Sequence, residues 1–158
     1  MKKTRSLAAI VAIVCVLSVV ANAQKKEERA PAQGPVEFQS ASNPNARTLS
    51  EFVRVGNILY LSGKLGTDST GKLAAGGIGP ETKQTLENIK AVLEKNGSSM
   101  DHVIKCTVML ADIKEWADMN TVYVTFFKKE RLPARSAFGT SGLVNNARVE
   151  IECMAMVK

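Results

Sequence analysis

The stretch PETKQTLENIKAVLEKNGSSMDHVIKCTVML runs from Pro80 to Leu110, and its two halves have different hydrophobic periods. In the first half Leu86, Ile89 and Leu93 recur at helical spacing and make one apolar face, with Val92 and Val103 close enough in sequence to extend the core. Pro80 suits the first helical position, Glu81 favours the positive helix end, and Asn96-Gly97 is a stop. In the second half the period drops to two. HVIKCTVML alternates, with Ile104, Cys106, Val108 and Leu110 assigned to the inward phase of a strand.

Downstream, Asp112 and Glu115 have capping-box spacing for a second helix. That helix carries Trp116, Met119, Tyr123, Phe126 and Phe127, a stripe whose spacing reads as a core face rather than a cofactor box. RSAFGTSG and ARVEIECMAMV then close the chain as strands. Upstream, SEFVRVG and NILYLSG read as two strands turning at Val55-Gly56-Asn57, followed by the Gly-rich loop TDSTGKLAAGGIG. The order β-β-α-β-α-β-β predicts an α+β domain, one sheet covered on one face by two helices. Its strand–helix–strand steps demand a parallel or mixed sheet with right-handed crossovers.

The other sheet face needs a different explanation. In the last strand Val149, Ile151, Cys153 and Ala155 form the inward phase, and Glu150, Glu152, Met154 and Met156 the outward one. That outward set is neither cleanly polar nor cleanly apolar. It suits a sheet that packs on other copies of itself while keeping charged groups for a site.

Residues 1–23 stand apart. MKKTRSLAAIVAIVCVLSVVANA has a basic start, an apolar run from Leu7 to Val20 and an A-x-A ending, the pattern of a secretory signal peptide cut after Ala23. The run is short for a membrane span, so no stable anchor is expected after cleavage, and Val14 argues against a lipidated Cys15. The mature protein is expected in the periplasm or outside the cell. Residues 24–46, polar and Pro-rich, read as a flexible linker, and 47–158 as the ordered domain. The leader holds three of the 21 basic residues and none of the 15 acidic ones, leaving the mature chain at +3. So modest a charge gives little reason to expect nucleic-acid binding. Cys106 and Cys153 remain in an oxidising compartment, either as a disulfide or as two buried thiols.

Much chemistry is excluded. His102 is the sole histidine, which removes a two-histidine nuclease dyad and any multi-histidine metal site. No serine occupies a G-x-S-x-G elbow, and GKLAAGGIG lacks the G-K-[ST] ending of a phosphate loop. What survives is Arg135, the carboxylates Glu150 and Glu152, the Ser62-Gly63 pair and Asn120. An arginine fork holds a carboxylate bidentately, and a partly desolvated Glu150 can orient or deprotonate a water. Together they fit hydrolysis of a small carboxylic acid with an electrophilic carbon. The competing reading is an Arg–Glu ion pair between neighbouring strands.

LYLSG (59–63), ETKQTLENIKAVLEKNG (81–97), VIKCTVMLADIKEWADMNTVYVTFF (103–127), PARSAF (133–138) and VEIECMA (149–155) together resemble the Rid (YjgF) family of imine/enamine deaminases. The resemblance runs over 49–158 in family order, and P-A-R-S and V-E-I-E are its most specific parts. It implies a chorismate-mutase-like fold and a homotrimer whose sheets line a central barrel, with clefts between subunits. It implies hydrolysis of small 2-imino acids, formed from enamines such as 2-aminoacrylate, to 2-keto acids and ammonia, with no metal or organic cofactor. Carried over by motif, Arg135 holds the substrate carboxylate, Glu150 positions the attacking water with the Gly63 carbonyl, and Ser62, Asn120 and the Ala137 backbone line the pocket.

This chain departs from the pattern at three places: Leu49-Ser50-Glu51 stands for a Tyr-Ser-Gln, Lys64 for a glutamine, and Ala137 for a frequent cysteine. The first two bear on substrate size and pocket polarity. A second function, a non-catalytic trimeric binder of small carboxylates such as 2-keto acids, shares the same residues, and the resemblance adds a third, a weak endoribonuclease or chaperone-like activity attributed to members of the family.

Overall fold

The computed structural model describes residues 34–40 and 48–158; the expected signal peptide lies outside them. The strands are β1 (Val36–Ser40), β2 (Ser50–Val55), β3 (Ile58–Leu61), β4 (Lys64–Leu65), β5 (Val103–Leu110), β6 (Ala134–Gly139) and β7 (Val149–Met156). Helix α1 spans Ile78–Lys95 and α2 spans Trp116–Tyr123. One sheet runs β1-β2-β3-β7-β5-β6, with β4 pairing to β7. Among the described strands only β5/β6 is parallel, and α2 lies between those two strands in sequence, as a parallel pair requires. The mixed α+β sheet with two helices stands as expected from the sequence.

The helices are built as their periodicity indicates. Leu86, Ile89 and Leu93 of α1 and Met119 and Tyr123 of α2 are buried in one core with Cys106, Val108, Leu110, Val149, Ile151, Cys153 and Ala155. Helix α1 begins two residues before Pro80, whose missing N–H is harmless in the first turn. It stops where Gly97 takes φ +77 and the Ser98 N–H donates to the Leu93 carbonyl.

The sheet departs from the sequence reading in three places. First, β1 falls inside the segment read as linker. Its side chains are all exposed, so it leaves no burial signature, and it is held by an antiparallel backbone ladder to β2, Phe38 opposite Val53. Second, Ile104 does not face the core. The ladder to β7 shifts register between Val103 and Lys105, so Val103 is buried and Ile104 is 41% exposed. Third, the aromatic stripe is only partly core. Tyr123 and Phe127 are buried, but α2 is bracketed by 3-10 turns at 113–115 and 124–126, so one helical period does not run its length, and Trp116 is left 40% exposed.

Cys106 and Cys153 stand directly opposite each other on β5 and β7, Cα atoms 4.2 Å apart, and form a disulfide. Cys106 is also in register with Arg135 on β6. One row across three strands therefore holds Arg135, Cys106 and Cys153. Among the described residues no helix covers the far sheet face, which presents Tyr60, Met154 and Met156 beside Lys105, Glu150 and Glu152.

Candidate active site

Arg135 is the second residue of β6, a strand at the sheet edge. Its register with Cys106 turns its side chain to the helix-covered face, under α2. There the guanidinium carbon lies 4.5 Å from the centre of the Tyr123 ring and 5.5 Å from that of Trp116. Those two residues are two helical turns apart and so share a face of α2. The arginine is held by aromatic π-faces, which attract a cation without neutralising it.

Three polar atoms at this place are buried without a hydrogen-bond partner: Arg135 Nη1, Tyr123 Oη and Asn120 Oδ1. Asn120 precedes Tyr123 by one turn and projects from the same helix face. Buried polar groups in folded chains are nearly always paired, so this grouping marks a place where a polar partner fits. Burial pushes the Tyr123 phenol up to about 12, against the opposing pull of the Arg135 charge, so it stays a neutral donor at physiological pH. No carboxylate forms an ion pair with Arg135 among the described residues. The guanidinium is thus available to an external anion.

The second group of candidates lies on the other side of the sheet. Glu150 stands opposite Met109 on β5, out of phase with the core residue Cys106, and opposite Leu65 on β4. Its side chain lies over the Gly63 backbone: a Cβ at position 63 would fall 1.9 Å from Glu150 Oε1. Only glycine allows that approach. Ser62 is fixed beside it, its hydroxyl donating to the Ser50 carbonyl (2.7 Å) and its N–H to the Glu51 carbonyl (3.1 Å). Lys64 donates to Glu51 at 3.1 Å, which joins the two charged departures noted above into one ion pair. The start of β7 is anchored by the buried Glu81 carboxylate, which accepts from the N–H groups of Arg148 (2.6 Å) and Val149 (3.3 Å). The Arg148 side chain pairs with Glu115, just ahead of α2, instead of leaving Glu115 to complete a capping box.

Within one chain, then, Gly63, Ser62 and Glu150 come together, and Arg135, Asn120 and Ala137 share the helix-side face. The two groups do not meet. The Arg–Glu ion pair between neighbouring strands is excluded, because β5 separates β6 from β7 and the two side chains leave opposite faces. The aromatic flanks of Arg135 were not recognised from the sequence, although the spacing Trp116, Asn120, Tyr123 put all three on one face.

The profile of the Endoribonuclease L-PSP family matches residues 38–157. The chain belongs to this family, the YjgF/Rid proteins. It is 40% identical over 108 residues to the mouse 2-iminobutanoate/2-iminopropanoate deaminase, an overlap covering 68% of this chain and 79% of that one. It is 35% identical over 145 residues to the chloroplastic Reactive Intermediate Deaminase A of Arabidopsis thaliana, covering 88% and 70%. The crystal structure of RidA from an Antarctic Psychrobacter superposes with a TM-score of 0.67 at 36% identity, covering 76% of this chain and 94% of that chain. The family match begins at residue 38, inside β1, in keeping with a domain that starts before the expected boundary at 47.

Proposed function

We propose that this protein is a hydrolytic imine deaminase that converts small 2-imino acids to 2-keto acids and ammonia. The observation that carries the reading is Arg135: a guanidinium flanked by two aromatic rings, with one buried nitrogen unpaired and no carboxylate neutralising it among the described residues. Such a fork fits a carboxylate bidentately. The relatives named as imine deaminases supply the reaction class.

A 2-iminium acid bound by its carboxylate presents an electrophilic C2. Glu150, with the Gly63 carbonyl beside it, accepts hydrogen bonds from a water and takes its proton as the oxygen bonds to C2. The protonated Glu150 gives its proton to the amine nitrogen of the tetrahedral amino alcohol, the C–N bond breaks, ammonia leaves, and the hydroxyl proton passes to solvent to give the keto acid. One water is consumed and one ammonia released. A protonated imine is already activated, so positioning and one carboxylate suffice. Asn120 Oδ1, unpaired in the same burial, is suited to accept from the iminium N–H.

Because Arg135 and Glu150 leave opposite faces of one sheet, the site needs Glu150 from a second copy. A homotrimer that sets the β6 edge of one copy against the Glu150-bearing sheet face of the next meets that need and covers Tyr60, Met154 and Met156. Export to an oxidising compartment is supported by the cross-strand disulfide. Ribonuclease action, raised by the family's name, finds little support: the sole histidine, His102, has Nδ1 engaged with the Ser99 hydroxyl at 2.8 Å.

The test is ammonia and keto-acid release from enzymatically generated imines of several side-chain sizes, with the mature chain and Arg135→Ala. Acceleration that the substitution abolishes supports the reading. No acceleration over the uncatalysed rate, with the assembly intact, leaves a non-catalytic carboxylate binder.

A further inference from the structure

Strand β4 is only two residues long, yet the segment entering it brings Gly63 against Glu150. Its ladder with β7 is out of step with that of β3. Tyr60 stands opposite Met154 and Lys64 opposite Ile151, so four steps along one strand meet three along the other. The surplus residue is a bulge within Leu61–Gly63, beside Glu150. A bulge interrupts the ladder, and a glycine has no side chain to pack, so β7 alone does not hold this segment.

The segment is held from both ends instead. Upstream, the Ser62 N–H donates to the Glu51 carbonyl and the Ser62 hydroxyl to the Ser50 carbonyl. Lys64, one residue past Gly63, reaches back to Glu51 Oε1 at 3.1 Å. The two side chains are only 21% and 17% exposed, so solvent screens this pair less than it screens a surface one. Neither has another ion-pair partner among the described residues. Downstream, Asn88 of α1 donates to the carbonyls of Leu65 (2.9 Å) and Thr67 (2.8 Å). Gly63 lies between these anchors.

We infer that Lys64 and Glu51 are positioning residues for the deamination: their ion pair clamps the bulge so that the Gly63 carbonyl and Glu150 stay aligned on one water. This rests on the deaminase reading above and adds two residues to its water-holding half. Both act through Gly63 and leave the Arg135 end of the pocket alone. A displacement of about 1 Å at such a place lowers turnover by up to about 10²-fold.

The test is steady-state ammonia release from enzymatically generated 2-iminopropanoate, resolved into kcat and KM, with pyruvate affinity measured by calorimetry on each variant. Glu51→Ala and Lys64→Met should each lower kcat by about tenfold or more, with KM and pyruvate affinity within about twofold of wild type. Lys64→Met keeps the packing of the stem and carries the test if Glu51→Ala does not fold. Glu51→Gln keeps an acceptor for Lys64 and should retain kcat within about threefold. Added to Glu150→Gln, the Lys64→Met change should alter kcat by less than about twofold, because the residue it positions is already gone. An unchanged kcat in Lys64→Met overturns the inference, as does a parallel loss of kcat and pyruvate affinity. A full further loss in the Glu150→Gln background also overturns it, since the pair would then act elsewhere. A wild-type protein with no turnover sinks the deaminase reading, and this inference with it.

Discussion

Reducing the Cys106–Cys153 disulfide should remove a large part of the stability of this fold. The bond joins residues 47 apart in sequence, across the central strand pair β5/β7. In the chain-entropy treatment, a loop of that size restricts the unfolded chain by about 4 kcal/mol at 25 °C. Both cysteines are buried, so reduction places two thiols in a space shaped for one bonded pair and recovers nothing from solvent. The assay is equilibrium urea unfolding of the oxidised protein against protein refolded under a strong reductant, at one protein concentration because assembly also contributes. With an m-value of about 2 kcal/mol/M, the midpoint should fall by about 2 M. Reduction of the wild-type chain isolates the bond better than alanine substitutions, which would add cavities. A midpoint shift below about 0.3 M, with free thiols verified by mass, would refute the reasoning.

Two further outcomes follow from single atoms. Gly63→Ala brings a Cβ within 1.9 Å of Glu150 Oε1, so the carboxylate must move; kcat should fall at least about tenfold, while unfolding stability falls by no more than about 1 kcal/mol because a flexible side-chain end gives way. An unchanged kcat would remove Glu150 from the water's side. Tyr123 has its phenol raised to about 12 by burial. The unfolded chain ionises there first, from about pH 10, so stability contributed by the neutral phenol is full below pH 10 and declines as pH rises toward 12. Tyrosinate absorbance and urea midpoints across that range check the sign, and Tyr123→Phe should remove that component of the decline.

Much of this was legible in the residues. The period of Leu86, Ile89 and Leu93 marked α1, and the strict alternation from Val149 to Ala155 assigned both faces of β7, because a long strand in mid-sheet has no freedom to slip. The edges were less legible. β1 buries no side chain, so its backbone ladder leaves only a polar composition to read. A register shift near the start of β5 exchanged Val103 for Ile104, and such a shift is set by the partner strand rather than by local pattern. The site divided in the same way. Arg135, Gly63 and Glu150 stood out as residue types and motifs, and the contact between Gly63 and Glu150 gives two of them a geometric basis. The aromatic flanks of Arg135 were hidden because a stripe at helical spacing looks alike whether it meets aliphatic carbon or a guanidinium.

The central claim is that Arg135 holds a carboxylate while Glu150 acts on water. Its most direct test is steady-state ammonia release from 2-iminopropanoate by wild type, Arg135→Ala and Glu150→Gln, with pyruvate affinity measured on each. The account predicts that Glu150→Gln keeps pyruvate affinity within about twofold while its turnover falls by about 10²–10⁴. Arg135→Ala should weaken pyruvate binding by about 10–100-fold and lose turnover as well. Wild-type release no faster than the uncatalysed reaction, or an Arg135→Ala variant that binds and turns over normally, would contradict it.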